Sequence, residues 1–333
     1  MAEGHVLCHD ITQIIKGVTK EALFLKGHIV TKEDIPQLLN LGKEHLYVWE
    51  QVDGMLHENE AADILRKICQ NDHMYATLPK EGKIELIADM DGLFVINKVA
   101  LKNVNAQSDM MIATRRSDTC VKAGDKLCGT RVIPLVIAEE KMEKAVQVAG
   151  EEPILTIYPF KEKKVGIITT GSEIFHGRIE DTFTPVLVEK LAEFGGVVVS
   201  HKVLDDANEE ITSTIQEMMN DGVDMVFCTG GMSVDPDDKT PLAIKNTGAD
   251  IISYGAPVLP GAMFLLAYTK DKKPICGLPG CVMYAKRTIF DLVLPFLMAD
   301  VPVSREWLTS LGNGGLCLDC EQCHFPNCGF GGA

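Results

Sequence analysis

Apolar residues recur at helical spacing at Ile35, Leu38 and Leu39, which predicts a helix over 32–41. The same spacing at Ala61, Ala62, Leu65 and Ile68 predicts a second over 58–69. Short apolar runs at 84–88, 93–96 and 130–137 read as strands, with turn chemistry at Asp91-Gly92 and Ala123-Gly124-Asp125. This α+β pattern shows no catalytic constellation, and its Asp and His residues read as surface or turn positions. Segment 151–164 holds Pro153 and Pro159 and ends in Lys161-Glu162-Lys163-Lys164, the composition of a linker.

Beyond it the rhythm changes to strand and helix in alternation. An apolar strand at 165–170 leads to a helix over 185–194 with Leu187, Leu191 and Phe194 on one face, stopped by Gly195-Gly196. A strand at 197–204 follows, then a helix capped by Asp206 or Asn208 that buries Ile211, Ile215, Met218 and Met219. Further strands at 225–229, around Ile251, at 263–267 and at 275–278 precede a last helix over about 282–298. The fold class expected is α/β: a mostly parallel sheet with helices on both faces over 161–300, preceded by a smaller α+β domain over 1–160 and followed by an extension, 301–333. Ligands of such sheets bind at the carboxyl ends of the strands, so function is expected in the loops that leave them.

Composition narrows the classes of partner. A chain of 333 residues, 46% apolar and 24% charged, can bury large cores in about two domains. Asp plus Glu outnumber Lys plus Arg by 47 to 32, and the net charge of −15 would repel a nucleic-acid backbone. A small anion remains compatible, because backbone N–H groups capture phosphates locally. The start lacks the basic flank and apolar run of a secretory signal, and the apolar stretch 288–299 is short and interrupted by Asp291 and Pro295, so neither export nor a membrane span is expected. The 11 cysteines then read as reduced thiols or metal ligands in a cytoplasmic protein.

Three strands run directly into glycine loops: Thr169-Thr170-Gly171-Ser172-Glu173, Thr229-Gly230-Gly231-Met232-Ser233 and Leu278-Pro279-Gly280-Cys281. Glycine lets main-chain N–H groups approach a ligand, and Thr and Ser add short donors, so the three loops on one sheet edge describe a phosphate or oxyanion site. Between them lie Glu173, Asp181, Asp205-Asp206, Asp235, Asp237 and Asp238. Carboxylates beside a phosphate make sense with Mg²⁺ between them, since this ion takes one or two carboxylates plus ligand oxygens. Asp205 and Asp206 fit helix capping equally well, whereas Glu173 and Asp238, embedded in the loops, favour the site.

The order T-T-G-S-E, D-T, D-D, G-G-M-S-V-D-P-D-D, L-P-G and L-P-G over about 163–298 resembles the molybdopterin-binding domain of the MoeA and gephyrin type. A weaker resemblance to the segment preceding that domain runs through Asp10-Ile11, Lys26-Gly27-His28-Ile29 and Leu41-Gly42. The resemblance implies molybdenum-cofactor biosynthesis: adenylylated molybdopterin binds, its phosphoanhydride is cleaved with Mg²⁺, and molybdate is placed on the dithiolene with release of AMP. It implies Glu173 and Asp238 as catalytic and Mg²⁺-binding residues, with Asp206 assisting. Thr170, Gly171, Ser172, Gly230, Gly231, Ser233, Pro260, Gly261, Pro279 and Gly280 fall in the ligand cradle. A client molybdoenzyme and a homo-oligomer are compatible with this reading.

This chain departs from the pattern at several points. The family's K-P-G-K-P loop is Leu259-Pro260-Gly261-Ala262-Met263, without either lysine. Cys281-Val282 replaces an Asn-Pro, Phe183 an Asn and Ser172 an Asp. Loss of cations from a site that must hold molybdate weakens electrostatic stabilisation. Two readings of different class follow, a divergent molybdopterin molybdenumtransferase and a non-catalytic molybdopterin carrier or sensor. The tail adds a separate feature: Cys317, Cys320, Cys323 and Cys328 in the spacing C-x₂-C-x₂-C-x₄-C, with His324 inside. Four thiols so close in sequence predict a metal centre, an iron–sulfur cluster ahead of Zn²⁺, detachable from the α/β domain.

Overall fold

The computed structural model describes residues 2–47, 53–233, 235 and 238–332. Asp237, one of the carboxylates expected in the glycine loops, lies outside the described residues. The chain divides into two compact units. The first comprises Met1–Asp89, Ile96–Arg115 and Ala123–Thr156, and the second comprises Met90–Val95, Arg116–Lys122 and Ile157–Ala333. This differs from three consecutive segments: two short excursions from the first half, and the whole cysteine-rich tail, belong with the α/β unit.

In the first unit the helix Glu58–Cys69 forms as its periodicity predicts and buries Ala61, Ala62, Leu65 and Cys69. His57 caps it, its side chain accepting from Asn59 N while Glu60 returns a bond to His57 N at 2.9 Å. His57 is therefore a buried structural residue and not the surface position expected. The helix expected at 32–41 is shorter, Ile35–Asn40, and buries only Leu38. The run 130–137 is two strands, Lys126–Val132 and Val136–Ala138, because Pro134 between them has no N–H to give a ladder.

The second unit is built on a six-stranded sheet. Its strands are β1 (Lys163–Thr170), β2 (Gly196–Leu204), β3 (Met225–Thr229), β4 (Asp250–Tyr254), β5 (Leu265–Tyr268) and β6 (Pro274–Leu278), in the order β2-β1-β3-β6-β5-β4. β2, β1, β3 and β6 run parallel, and β5 alone reverses, pairing antiparallel with β6 and β4. Its longer helices are α1 (Phe183–Ala192), α2 (Asn208–Asn220), α3 (Thr240–Asn246), α4 (Ile289–Met298) and α5 (Arg305–Ser310), with one short turn of helix at Ser172–Phe175.

Alternation along β1 and β3 serves two cores. Val165, Ile167, Met225 and Phe227 pack with Leu187 and Leu191 of α1 and Phe290 and Val293 of α4. Ile168, Val226 and Cys228 face the other way, onto Ile211, Ile215 and Met218 of α2. Both faces are covered, which is why these strands read as continuous apolar runs. α2 sits so close that a Cβ on Gly166 would lie 2.7 Å from Met218 Sδ.

Three expectations change here. The linker contains a strand, Leu155–Pro159, lying beside Gly92–Ile96 in a small sheet. Neither Asp206 nor Asn208 caps α2; the cap position is Ala207, with no side-chain bond. The helix expected over 282–298 is a 3₁₀ turn, Gly280–Met283, and then α4. Thr288 and Asp291 form a capping box that starts α4 afresh, with Asp291 Oδ2 accepting from Thr288 N at 2.8 Å. Among the described residues no helix is long and apolar enough to cross a membrane.

Candidate functional site

The parallel strands β1, β3 and β6 end at one edge of the sheet and release the three glycine loops there. At the end of β1, Thr169 donates to Asp181 Oδ2 at 3.0 Å, and Asp181 also accepts from Phe183 N, Thr184 N and Thr184 Oγ1. His201 Nε2 closes the group, 3.0 Å from Thr169 Oγ1 and 3.3 Å from Asp181 Oδ2. Burial pushes the Asp181 carboxyl up, but the bonds from Thr184, Thr169 and Phe183 outweigh it and hold the carboxyl below its ordinary range. With its oxygens engaged, Asp181 is a clasp for the start of α1. His201, which no motif signalled, completes that clasp from β2.

The second loop is locked against the first. Thr170 Oγ1 lies 3.3 Å from Thr240 Oγ1, which donates to the Gly230 carbonyl at 2.9 Å. Gly230 has φ +83°, and a Cβ there would sit 2.1 Å from the Thr170 carbonyl oxygen. Gly231, at φ +54°, would place its Cβ 2.9 Å from Thr240 Oγ1. Both glycines are thus demanded by the close approach of two loops within the protein, before any ligand is considered. Beneath them the buried Thr229 Oγ1 has no hydrogen-bond partner among the described residues.

Ser172 and Glu173 open a single helical turn after Gly171. Asp206, at the end of β2, accepts from Ser172 N at 3.2 Å and so ties the β2 loop to the β1 loop. Burial pushes the Asp206 carboxyl above its ordinary range; the bond from Ser172 opposes this, and the negative charges of Asp205 and Glu173 add to the rise. Asp206 thus shares its surroundings with the carboxylates of Asp205 and Glu173, the donor type that Mg²⁺ takes together with phosphate oxygens and water. Among the described residues no three His, Cys, Asp or Glu side chains stand close enough to hold a metal by themselves.

Asp238 is engaged within its own loop. Its Oδ2 accepts from Asp235 N at 3.2 Å, and its charge bears on Tyr254, whose hydroxyl burial and then Asp238 push above the ordinary range. Tyr254, on β4, donates to the Met232 carbonyl at 3.1 Å and reaches the carbonyl of the exposed Ser233 at 3.4 Å. It holds the loop from outside and carried no sequence signal.

Pro260 and Gly261 face a different neighbour from the other loop residues. The Pro260 carbonyl accepts from Ile289 N at 3.2 Å, and a Cβ on Gly261 would lie 2.4 Å from Ile289 Cγ2, so this loop packs on the start of α4. The tail straps it: Leu259 N donates to Gly315 O, and Cys317 N donates to Leu259 O, both at 2.8 Å. Pro279 is buried, whereas Gly280 is exposed with nothing within 4 Å of where its Cβ would stand. Of the three loops' glycines, Gly280 is the one whose side is open to a ligand.

The tail folds onto this region and encloses a cavity of about 490 Å³. Its lining includes Cys317, Cys320, Cys323 and Cys328, together with Pro260 and the segment from Tyr284 to Arg287. Lys286 donates to the Cys320 and Glu321 carbonyls at 3.0 and 3.1 Å, and Arg116 donates to the Cys328 and Phe330 carbonyls at 2.8 and 3.1 Å. Arg287 bonds Asp291 at 2.9 Å and lies over the Phe325 ring, 5.1 Å from its centroid.

Comparison with known proteins bears on the same region. Residues 166–299 match the family described as "Probable molybdopterin binding domain", and residues 1–50 match a domain of unknown function. A molybdopterin molybdenumtransferase of Synechococcus elongatus is 26% identical over 196 residues, 56% of this chain and 46% of that protein. A CinA-like protein of Mycolicibacterium gilvum is 35% identical over 78 residues, 23% of this chain and 18% of that protein. The chain thus spans less than half the length of these curated relatives. Among solved structures, the tungsten cofactor synthesizing protein MoaB from Pyrococcus furiosus aligns over 44% of this chain and 98% of its own, at 22% identity and a TM-score of 0.36.

Proposed function

We infer, from the membership of residues 166–299 in the molybdopterin-binding domain family, that this chain acts in molybdenum-cofactor biosynthesis by binding adenylylated molybdopterin at the carboxyl edge of its sheet. The observation that carries the reading is the junction of the β1, β2 and β3 loops. There Ser172 N meets Asp206, Thr170 meets Thr240, and the Asp206 carboxyl is raised by burial first and then by the charges of Asp205 and Glu173. Such a junction suits a phosphoanhydride whose charge is shared with Mg²⁺ held by Glu173 and Asp206. When bound, the ion supplies neutralisation of the phosphate oxygens, which makes AMP a better leaving group.

The protein's own groups do the rest. Ser172 and Thr170 orient the phosphate end, Gly280 lets the ligand approach the exposed 3₁₀ turn, and Asp238 with Glu173 positions the attacking oxygen. Molybdate is the second substrate, and a client molybdoenzyme would accept the product. The tail's four cysteines would hold a metal centre, iron–sulfur or zinc.

One observation favours the second reading, a carrier or sensor that binds without turnover. The loop that holds two lysines in the family is here strapped by the tail through Leu259, and the nearby cations Lys286 and Arg287 are engaged by carbonyls and by Asp291. No side chain of that loop is left to bind molybdate.

The two readings separate in one assay. Purified protein with adenylylated molybdopterin, Mg²⁺ and molybdate is expected to release AMP, and Glu173→Gln to reduce that release by at least about a hundredfold, the scale of removing one preorganised charge. Tight ligand binding with no AMP at any molybdate concentration would leave only the carrier or sensor.

A further inference from the structure

The first unit carries a groove that the glycine-loop chemistry does not use. It runs between the helix Glu58–Cys69 and the helix Glu139–Ala149, with a volume of about 650 Å³. The first helix buries Ala61, Ala62, Leu65 and Cys69, and leaves Ile64 and Ile68 half-buried along the groove. The second buries Met142, Ala145 and Ala149, while Val146, one turn after Met142, is 43% exposed in the groove. Ile64 and Ile68, like Met142 and Val146, stand one helical turn apart, so each wall presents an apolar stripe. Around these lie Glu139, Glu143, Glu151 and Glu152, all exposed. We propose that this groove docks a basic amphipathic helix of a partner protein. The helix lays its apolar face on Ile64, Ile68, Met142 and Val146 and its Lys or Arg side chains on the four glutamates.

Charge selects that occupant. Among the described residues no cation pairs with any of the four glutamates, and Lys67, which also lines the groove, binds Asp63 at 3.0 Å. Helix stability accounts for Glu139, which sits at the positive N-terminal end of its helix. It does not account for Glu151 and Glu152. They follow the C-terminus of that helix, where the dipole is negative, and no basic residue stands in its last turn. That end carries negative charge that a partner's cations would relieve. A second copy docking by the same groove would set these carboxylates against their own kind, and an anionic membrane or a nucleic acid would be repelled likewise. The helix Glu139–Ala149 has 11 residues and is about 16 Å long at about 1.5 Å per residue, so a partner helix of about three turns covers it. An apolar floor with a charged rim is the arrangement by which grooves take amphipathic helices.

The test uses the full chain and a labelled synthetic peptide of about 15 residues, long enough to form a helix, with leucines at helical spacing on one face and lysines on the other. Fluorescence anisotropy at about 0.15 M salt is expected to show saturable one-to-one binding. Val146→Asp and Glu143→Lys, both at exposed helix positions, should each weaken it about tenfold or more. Glu217→Lys makes the same charge change at an exposed position of the other unit and should leave the affinity within about twofold. Circular dichroism checks that each variant is folded; if Val146→Asp is not, Glu143→Lys carries the test alone. No binding to the unaltered chain would overturn the proposal. Equal binding of a peptide with glutamates in place of lysines would do the same, as would equal losses in Glu143→Lys and Glu217→Lys, the mark of diffuse attraction to a chain of charge −15. A concentration-dependent dimer that Val146→Asp dissolves would make a second copy the occupant and overturn it too. None of these outcomes bears on AMP release, so failure here is distinguishable from failure of the molybdopterin reading.

Discussion

At the scale of single residues, the glycine loops separate into positions that the fold needs and one, Gly280, that it leaves open. Gly230 combines φ +83° with a Cβ site 2.1 Å from a main-chain oxygen that cannot swing away. Gly230→Ala is expected to cost at least about 3 kcal/mol, the sum of a left-handed residue and an overpacked contact, read as a lowered denaturation midpoint. Gly280 has neither constraint. Gly280→Val should leave stability within about 0.5 kcal/mol and still weaken molybdopterin binding about tenfold or more, about 1.4 kcal/mol, measured by calorimetry. Unchanged affinity would show that the 3₁₀ turn does not meet the ligand. In sequence the glycines look alike, because what distinguishes them is the Thr170 carbonyl arriving from another strand.

At the scale of elements, the α/β rhythm was legible and the junctions were not. Strands β1, β3 and β6 announce themselves because both faces are covered, and α2 shows its Ile211, Ile215 and Met218 face plainly. Periodicity could not show that the last helix begins at Ile289, since Val282 and Ile289 keep apolar character across the break. The capping box was the missed signal, a Thr followed three residues later by Asp. Asp291 there does more than cap: 7% exposed, it pairs with Lys190 and Arg287 as well as with Thr288 N. Asp291→Ala leaves two cations and a cap unanswered in a buried setting. It is expected to destabilise by about 3–5 kcal/mol in chemical denaturation, whereas an exposed pair would give well under half of that.

At the scale of the whole chain, the tail is part of the α/β unit and not an appendage. The sequence shows four cysteines between glycine pairs, which suggests a detachable metal loop; it does not show that Arg116, some two hundred residues earlier, grips the Cys328 and Phe330 carbonyls. Nor does it show that Phe330 is 4% exposed in the main core. The tail glycines are set by the same docking, since a Cβ on Gly331 would lie 2.3 Å from Leu292 Cδ2 and one on Gly314 2.3 Å from the Gly332 carbonyl oxygen. Truncation after Leu311 therefore removes a core aromatic and the two bonds that strap Leu259, as well as the cysteines. Losing Phe330 alone is worth about 3–5 kcal/mol by analogy with buried aromatic deletions, so the truncated chain should show a clearly lowered denaturation midpoint. Phe330→Ala in the full chain should reproduce most of that loss while keeping all four thiols. If truncation left the midpoint unmoved, the tail would not be docked as described, and its cysteines would have to act as an independent loop.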